Sequence, residues 1–337
     1  MKSVSRDTAL LLFTLQMPGA LPRYAARALG EGCDSVIAQM ILDGILEIEA
    51  GGRMLSGPAA HALVCGDPSA RLPQNSLAAL SARAIEYAAT IAIAGHAALS
   101  QRLYAYNRVP ASQRWRSLLP DEGAVDLHLG IRNDAAARML DREWIRLPPA
   151  AGEGGWIAWQ SRRVTQNRAA ATYKLYVSPA CTELRATFAA VVQTGSRSAA
   201  FDWKMGNDAY GLLRPDKFVL YFREFSDLQA TAAQILENLQ HCPAQGVPFT
   251  AELVPGGLLS WGIDPPAEEY TVAWLARESW RSRICDRLAT ALLLAKTSTG
   301  TGISPSRFAI ERLRLEGIDT DTWAPTRELA WAAPQRG

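Results

Sequence analysis

Six short apolar segments between residues 156 and 263 restrict the possible folds of this chain more than any other feature. These segments alternate with helical stretches along the chain. We interpret this region as a mostly antiparallel sheet with flanking helices, an α+β fold. The strand candidates are WIAWQSRR, TYKLYVS, FDWKMG, DKFVLYF, PFTAELV and LLSWGI.

The clearest helix of this region is predicted to start at Ser226, between the fourth and fifth strand candidates. Ser226 and Gln229 resemble a capping box, in which two side chains bond to backbone N–H groups at the start of a helix. The apolar spacing then predicts one buried face, formed by Leu228, Ala232, Ile235 and Leu239.

The first 65 residues predict a compact helical module that ends in a hairpin. The helical stretches ALLLFTLQ, LPRYAARAL and SVIAQMILDG precede ILEIEAGGRMLSG, which has the pattern of two strands around Gly51 and Gly52. Three helices and a two-stranded wing look like a winged helix. Its third helix carries no Lys or Arg, so the counterion release that drives DNA binding is missing. We therefore expect the module to bind a peptide or to pack within the protein.

Proline and glycine residues interrupt the chain again at 146–155, in the segment RLPPAAGEGG. The residues before it, 76–147, are mainly helical and include long Ala/Leu-rich stretches. We therefore predict three parts: a winged-helix-like module at 1–70, a helical region at 71–150 and an α+β domain at 151–337.

Composition and missing motifs argue against several functional classes. With 35 basic and 33 acidic residues, a formal charge of +2 provides no global attraction to nucleic acid. We find no run of about 18 apolar residues and no signal peptide, so we expect a cytoplasmic protein without a membrane partner. The five cysteines form no C-x-x-C pair and the four histidines lack ligand spacing, so we expect no metal and no cofactor.

Cationic and phenolic side chains lie on the strand candidates themselves. Because alternate residues of a strand share a face, Lys174 and Tyr176 are predicted to point the same way, and so are Tyr221 and Arg223. In RESWRSR, the first two arginines are four apart and would project from one side of a helix. The remaining candidates are Lys204, Arg214, Arg277, Arg281 and Arg283.

Two interpretations of these residues remain open at this point. If their faces converge, they form a cluster of positive charge with hydroxyl donors, which is a receptor for phosphate. Alternatively, each cation belongs to the solvated half of an amphipathic strand. The segment 201–225 carries four basic and four acidic side chains, so its total charge does not decide between the two.

The order of these residues resembles a known enzyme family. It runs through K-x-[aromatic]-[apolar]-S at 174–178, the Ala-rich LRATFAAVV, and W-K-[apolar] at 203–205 with an arginine ten residues after the lysine. An L-Y-[aromatic]-R strand at 220–223 and an Arg-rich S-[aromatic]-R stretch follow. This series is similar to the phosphothreonine lyases secreted as type III effectors, and to the related effector-type lyase domains of lanthipeptide and thioamitide biosynthesis. The resemblance covers residues 172–285.

The resemblance implies a role for each matching residue. Lys204 matches the general base and Tyr221 an active-site tyrosine, while Asp264 in SWGIDPP matches a supporting carboxylate. Tyr176 stands where the secreted effectors have a histidine acid. Either Tyr176 donates the proton, or arginines hold the charge of the leaving phosphate, or the activity has been lost. Phosphate binding is implied for Lys174, Arg214, Arg223 and Arg281, to which the Arg-rich stretch adds Arg277 and Arg283.

The implied reaction removes phosphate from phosphoserine or phosphothreonine of a ribosomal precursor peptide and leaves a dehydroamino acid. It requires a base for the weakly acidic α-proton and a dense cationic clamp for the departing anion. An ordinary lysine has a pKa of ~10.4, which neighbouring arginines and burial would lower. The expected partners are the phosphorylated precursor peptide and a separate kinase, because the sequence holds no kinase motif.

Two alternatives to this function follow from the same features. The first is a non-catalytic binding partner of a modifying complex, which would hold the precursor peptide or phosphopeptide without converting it. The presence of Tyr176 in place of the histidine acid is compatible with such a role. A DNA-binding regulator with a ligand-sensing C-terminal domain would use the winged-helix-like module, but the charge distribution speaks against it.

Overall fold

The structure is a computed structural model that describes most of the chain. The predicted helices ALLLFTLQ and LPRYAARAL lie outside the described residues, as does Arg277. The described residues are 33–65, 75–93, 95–131, 135–148, 155–163, 172–264, 279–298, 302–326 and 329.

The chain divides into two compact units. Each unit collects residues that are close in space, whereas the three parts predicted above are continuous stretches of the chain. The division into three parts stays a prediction. The first unit comprises the described residues of 1–72, 85–103 and 284–320, and the second those of 73–84, 104–283 and 321–337.

Helices and short strands alternate through the described residues. The helices are α1 (Cys33–Leu42), α2 (His61–Cys65), α3 (Ser76–Thr90), α4 (His96–Tyr104), α5 (Gln113–Leu118), α6 (Glu122–Leu129), α7 (Ala135–Glu143), α8 (Leu184–Gly195), α9 (Ala209–Leu212), α10 (Phe225–Asn238), α11 (Trp280–Thr297) and α12 (Pro305–Leu315). The strands are β1 (Ile48–Ala50), β2 (Arg53–Leu55), β3 (Trp144–Arg146), β4 (Trp156–Ser161), β5 (Thr172–Val177), β6 (Asp202–Gly206), β7 (Phe218–Phe222), β8 (Ala251–Glu252), β9 (Leu259–Asp264), β10 (Ile318–Asp319) and β11 (Ala324–Pro325).

Seven strands of the second unit form one sheet in the order β3-β4-β6-β7-β5-β9-β8. All of its neighbouring strands are antiparallel, which confirms the predicted α+β class. Each of the six strand candidates contains a strand, although β8 has only two residues. Strand β3 was not predicted. It pairs with β4, so the Pro/Gly-rich segment after Arg146 joins two neighbouring strands of the sheet.

One face of this sheet is apolar and forms the core of the second unit with helices α8 and α10. The register aligns Trp159, Trp203, Leu220 and Leu175 across four neighbouring strands, and all four are buried. The rings of Trp159 and Trp203 stack with centroids 4.1 Å apart. Because a slip of one residue would exchange the two faces of a strand, burial of this row fixes the register.

The opposite face of the sheet carries the predicted functional residues, and we call it the polar face. The register aligns Lys204 with Val219, Val219 with Tyr176, and Tyr221 with Lys174. Residues directly opposite each other in antiparallel strands point to the same side. The prediction that Lys174 and Tyr176 share a face is therefore confirmed, and Lys204 and Tyr221 lie on that face too.

In the first unit, the predicted hairpin is confirmed. Strands β1 and β2 pair in antiparallel fashion around Gly51 and Gly52, both of which have positive φ. Helix α1 buries Met40 and Ile41 in a small apolar cluster. The winged-helix assignment itself stays a prediction. None of the described helices combines the length and the apolar character that a membrane-crossing helix requires.

Helix α10 begins at Phe225, one residue before the predicted start. Its N-cap residue, Glu224, makes no side-chain capping bond, so the predicted capping box is wrong. Packing fixes the first residue of the helix instead, because the centroid of the Phe225 ring lies 4.5 Å from that of the Trp261 ring. The predicted buried face is confirmed for Leu228, Ala232, Ile235 and Leu239.

Two glycines permit close approaches beside the polar face. A Cβ atom on Gly206 would come within 2.2 Å of the Gly211 backbone, so Gly206 lets the loop after β6 fold back closely. A Cβ atom on Gly262 would come within 2.5 Å of the Trp280 ring. Gly262 is the sheet partner of Lys174, so Trp280, at the start of α11, packs on the polar face next to this lysine.

We expect Gly262→Ala to lower the free energy of unfolding by about 1–3 kcal/mol, because the added methyl group must displace Trp280 from a packed position. Urea denaturation measures the effect. The matched control is Gly95→Ala, whose Cβ would meet Ala98 only at an ordinary 3.9 Å and should change stability by less than about 0.5 kcal/mol. Equal effects of the two substitutions would contradict the prediction.

Candidate functional site

Lys204 lies against two aromatic rings on the polar face. Its Nζ is 4.2 Å from the centroid of the Trp156 ring and 6.0 Å from that of the Tyr221 ring. The faces of aromatic rings attract cations through the ring quadrupole. The side chain is half-buried, so Lys204 is held at a defined place on the sheet instead of extending into solvent.

Lys174 lies on the other side of Tyr221. Its Nζ is 5.3 Å from the centroid of the Tyr221 ring and 2.5 Å from a carboxylate oxygen of Asp264. The other oxygen of Asp264 accepts a hydrogen bond of 2.8 Å from the backbone N–H of Trp280. Asp264 therefore connects Lys174 with the first residue of α11. Its supporting role in catalysis stays a prediction.

Arg214 shares the Trp156 ring with Lys204. The Arg214 Cζ is 4.4 Å from the ring centroid, so the two cations are separated by no more than the sum of their distances to that point. The local sequence explains how Arg214 reaches this place. Asp208 caps the short helix α9 by accepting from the N–H of Gly211, and α9 ends just before Arg214.

Arg214 and Arg281, which we call the arginine pair, share the carboxylate of Asp216. The Nε and Nη2 of Arg214 donate to the two oxygens of Asp216 at 3.0 and 3.1 Å, and Nη1 of Arg281 lies 2.8 Å from Oδ2. Burial alone would raise the pKa of Asp216, but the two guanidinium groups and a hydrogen bond from Tyr104 hold it well below its ordinary value. The carboxylate is therefore ionised at neutral pH.

The two arginines differ in how far a ligand can reach their side chains, which are 16% exposed in Arg214 and 1% exposed in Arg281. The Nε and Nη2 of Arg281 donate to the carbonyls of Pro248 and Tyr104 at 3.2 and 2.8 Å. In the described part of the chain, Nη1 of Arg214 has no hydrogen-bond acceptor, since the bonds of this side chain come from Nε and Nη2. Arg214 thus retains donors for an anion. The phosphate contact of Arg281 stays a prediction.

Tyr176 lies on the polar face of the sheet and is 3% exposed. Burial raises the pKa of its hydroxyl well above the ordinary value, and the negative charge of Asp264 adds to the effect. A phenol with a raised pKa is a weaker acid. This speaks against Tyr176 as the proton donor among the three alternatives that the resemblance leaves open.

The remaining three predicted phosphate ligands are Arg223, Arg283 and Arg277. Arg223 follows the last residue of β7, and its Nε is buried without a hydrogen-bond partner in the described part of the chain. Arg283 lies half-buried in α11. Arg277 lies outside the described residues. Their phosphate-binding roles stay predictions.

Sequence reasoning missed Trp156, Tyr104 and Asp216. Only the sheet register places the Trp156 ring on the polar face, because Trp156 pairs with Gly206, two residues from Lys204. Tyr104 is the last residue of α4, and its ring centroid lies 4.3 Å from the Arg281 Cζ and 5.5 Å from the Arg214 Cζ. Asp216 alone had a local signal, since it follows Arg214 by two residues.

A further lysine, Lys217, lies next to Asp216 in the chain but belongs to different surroundings. It is fully buried, and its Nζ donates to the carbonyl of Pro179 at 2.6 Å and to Oε1 of Gln245 at 2.5 Å. Burial lowers the pKa of Lys217 to about 8. These bonds tie two loops together, so we interpret Lys217 as a structural residue.

We expect Asp216→Asn to lower the free energy of unfolding by about 3–5 kcal/mol at neutral pH, because the buried guanidinium group of Arg281 and the partly buried one of Arg214 lose their counter-charge. The folded-state pKa of Asp216 lies below its unfolded value of ~3.9. Its stabilisation is therefore complete above that value and is lost as the pH falls through the lower, folded-state pKa. Urea titrations between acid and neutral pH test this, with the exposed Asp141→Asn as control. A stability difference from wild type that does not shrink in acid would contradict it.

The pH dependence of stability should also reveal the lowered pKa of Lys217. Its folded-state pKa of about 8 lies below the ordinary lysine value of 10.5, so the unfolded chain binds more protons between these pH values. Stability should therefore rise with pH in this window, relative to Lys217→Met, by at most ~1.4 kcal/mol per pH unit. Urea unfolding midpoints of the wild-type protein and of Lys217→Met, measured from neutral pH up to the ordinary lysine pKa, test this. Parallel curves would show that burial does not lower the pKa of Lys217.

Comparison with known proteins adds little to this geometry. No protein-family model and no curated protein matches the chain. Among solved structures, it is similar to an effector protein from Pseudomonas syringae pv. syringae strain 61, with a TM-score of 0.42 and 11% identity over 74% of this chain and 96% of the other. An effector protein from Pseudomonas syringae pv. tomato strain DC3000 matches with the same TM-score and identity, over 74% of this chain and 99% of the other. Likeness at this level carries no functional information about this chain.

Proposed function

We propose that this chain is a lyase that eliminates phosphate from phosphoserine or phosphothreonine residues of a precursor peptide. One observation carries the proposal: the amine of Lys204 and the guanidinium of Arg214 lie over the same indole ring, that of Trp156. Lys174 lies on the same face of the sheet. The site thus combines an amine that can act as a base with cations that can hold a dianion, and this reaction needs both.

In the proposed step, Lys204 removes the proton from Cα of the phosphorylated residue. The electron pair of the broken Cα–H bond forms the Cα–Cβ double bond, and the Cβ–O bond breaks with its electrons on the phosphate. Negative charge grows on the departing oxygen, where Arg214 and Lys174 can balance it. Nearby cations favour the neutral form of an amine, which a base requires.

No strong acid is needed if these cations hold the departing phosphate. Tyr176 then forms a buried wall of the site, consistent with its low exposure and raised pKa. The same observation favours a second candidate function, a non-catalytic partner that binds the phosphopeptide, because such a protein needs the cations but no acid.

We expect the purified protein to convert a synthetic peptide with one phosphothreonine, or its phosphoserine counterpart, into the dehydroamino acid. Mass spectrometry distinguishes this reaction from hydrolysis, because elimination removes phosphoric acid whereas hydrolysis leaves the hydroxyl group. Lys204→Arg keeps the charge but removes the base. It should lower turnover by about 10²–10⁴-fold while peptide affinity changes only a few-fold.

Two further variants make the outcome decisive. Arg214→Gln should weaken peptide binding, whereas Arg142→Ala, whose side chain is 74% exposed, should behave like wild type. Binding without turnover in the wild-type protein would support the non-catalytic partner instead. Unchanged turnover in Lys204→Arg would remove Lys204 as the base, and absence of both binding and turnover would overturn the proposal.

A further inference from the structure

Tyr104 contacts both members of the arginine pair from outside the range 172–285. Its hydroxyl donates to Oδ2 of Asp216 at 3.0 Å and accepts from Nη2 of Arg214 at 3.2 Å. The ring also lies against both guanidinium groups, with its centroid 4.3 Å from the Cζ of Arg281 and 5.5 Å from that of Arg214. One side chain therefore contacts the shared carboxylate and both of its cations.

The backbone after α4 holds Tyr104 in this position. The carbonyl of Tyr104 accepts from Nη2 of Arg281 at 2.8 Å. Asn107, with a φ of 66°, donates to two backbone carbonyls at 2.7 and 2.9 Å. Val109 donates its N–H to the carbonyl of Leu213, the residue before Arg214, at 3.0 Å. The turn at 104–109 is thus attached to the segment that carries the arginine.

The hydroxyl of Tyr104 determines which donors of Arg214 remain. A guanidinium group has five N–H donors in a fixed plane. Asp216 accepts from Nε and Nη2, and the Tyr104 hydroxyl also accepts from Nη2. The donors of Arg214 that remain for a ligand are therefore on Nη1. Without the hydroxyl, Nη2 would lose one acceptor and Asp216 would lose one donor.

Tyr104 remains a donor over the whole physiological range. Burial raises the pKa of its hydroxyl above the ordinary value, and the charge of Asp216 raises it further. The protonated hydroxyl can thus donate to Asp216 and accept from Arg214 at the same time.

We propose that Tyr104 is a positioning residue, whose hydroxyl fixes the plane of Arg214 between Asp216 and Trp156 so that Nη1 is presented to the anion. This inference rests on the proposed function for the identity of the anion, but not for the orientation of Arg214. A purely structural role would require only the ring, which phenylalanine would replace.

A double-mutant cycle with inorganic phosphate as the probe tests the proposal. Tyr104→Phe keeps the ring and the backbone carbonyl, and we expect it to weaken phosphate binding about 10-fold, as measured by calorimetry. In an Arg214→Gln background the same substitution should change the affinity by less than about 2-fold, because the residue through which it acts is gone. In a Lys174→Gln background the loss should again be about 10-fold. An equal loss in all backgrounds, or no loss in the otherwise wild-type protein, would overturn the proposal.

A second measurement needs no ligand and therefore separates this proposal from the proposed function. Phenylglyoxal forms an adduct with two nitrogens of a guanidinium group and reacts faster when these nitrogens make fewer hydrogen bonds. Peptide mass spectrometry reports labelling of Arg214. Tyr104→Phe should speed this labelling several-fold, whereas Tyr210→Phe, at a tyrosine that is 50% exposed, should not. If the wild-type protein neither binds nor converts the phosphopeptide but the labelling changes as expected, the lyase fails and the positioning role stands. Unchanged labelling would overturn the positioning role.

Discussion

A single buried carboxylate, that of Asp216, determines the geometry of the candidate site. It is the shared counter-charge of Arg214 and Arg281, and it is itself almost inaccessible to solvent. Removing a guanidinium group from water costs several kcal/mol, which only a close counter-charge and well-formed hydrogen bonds can offset. One carboxylate facing two guanidinium groups leaves a net positive charge at the polar face, and this excess charge is what can attract an anion.

Aromatic rings keep the cations of the site close together. Trp156 lies against both Lys204 and Arg214, Tyr221 lies against both Lys204 and Lys174, and Tyr104 lies against both arginines of the pair. Each ring offers its negative face to two cations, which reduces the cost of holding like charges at short range. The rings also limit the freedom of long side chains. A phosphate group that binds here would meet donors that are already ordered, so less conformational entropy would be lost on binding.

The residues of the site divide into those that can reach a ligand and those that hold them in place. Lys204 and Arg214 belong to the first group under the proposed function. Arg281 forms an ion pair with Asp216 and donates to backbone carbonyls, and Asp264 links Lys174 to the start of α11. Cationic residue type alone therefore does not identify a ligand contact. The hydrogen-bond partners of each guanidinium group separate the two roles.

The sequence by itself determined the features that depend on neighbouring residues along the chain. Short apolar segments predicted the strands, and the period of two residues along a strand placed Lys174 and Tyr176 on one face. Apolar spacing predicted the buried face of α10, and the paired glycines predicted the hairpin in the first unit. Only the tertiary structure decided which elements meet. Tyr104 is 110 residues from Arg214, and the Trp156 ring reaches Lys204 through the sheet register. No local pattern encodes these contacts. They arise because distant segments bury their apolar faces together, which brings the side chains on the opposite face within reach of one another.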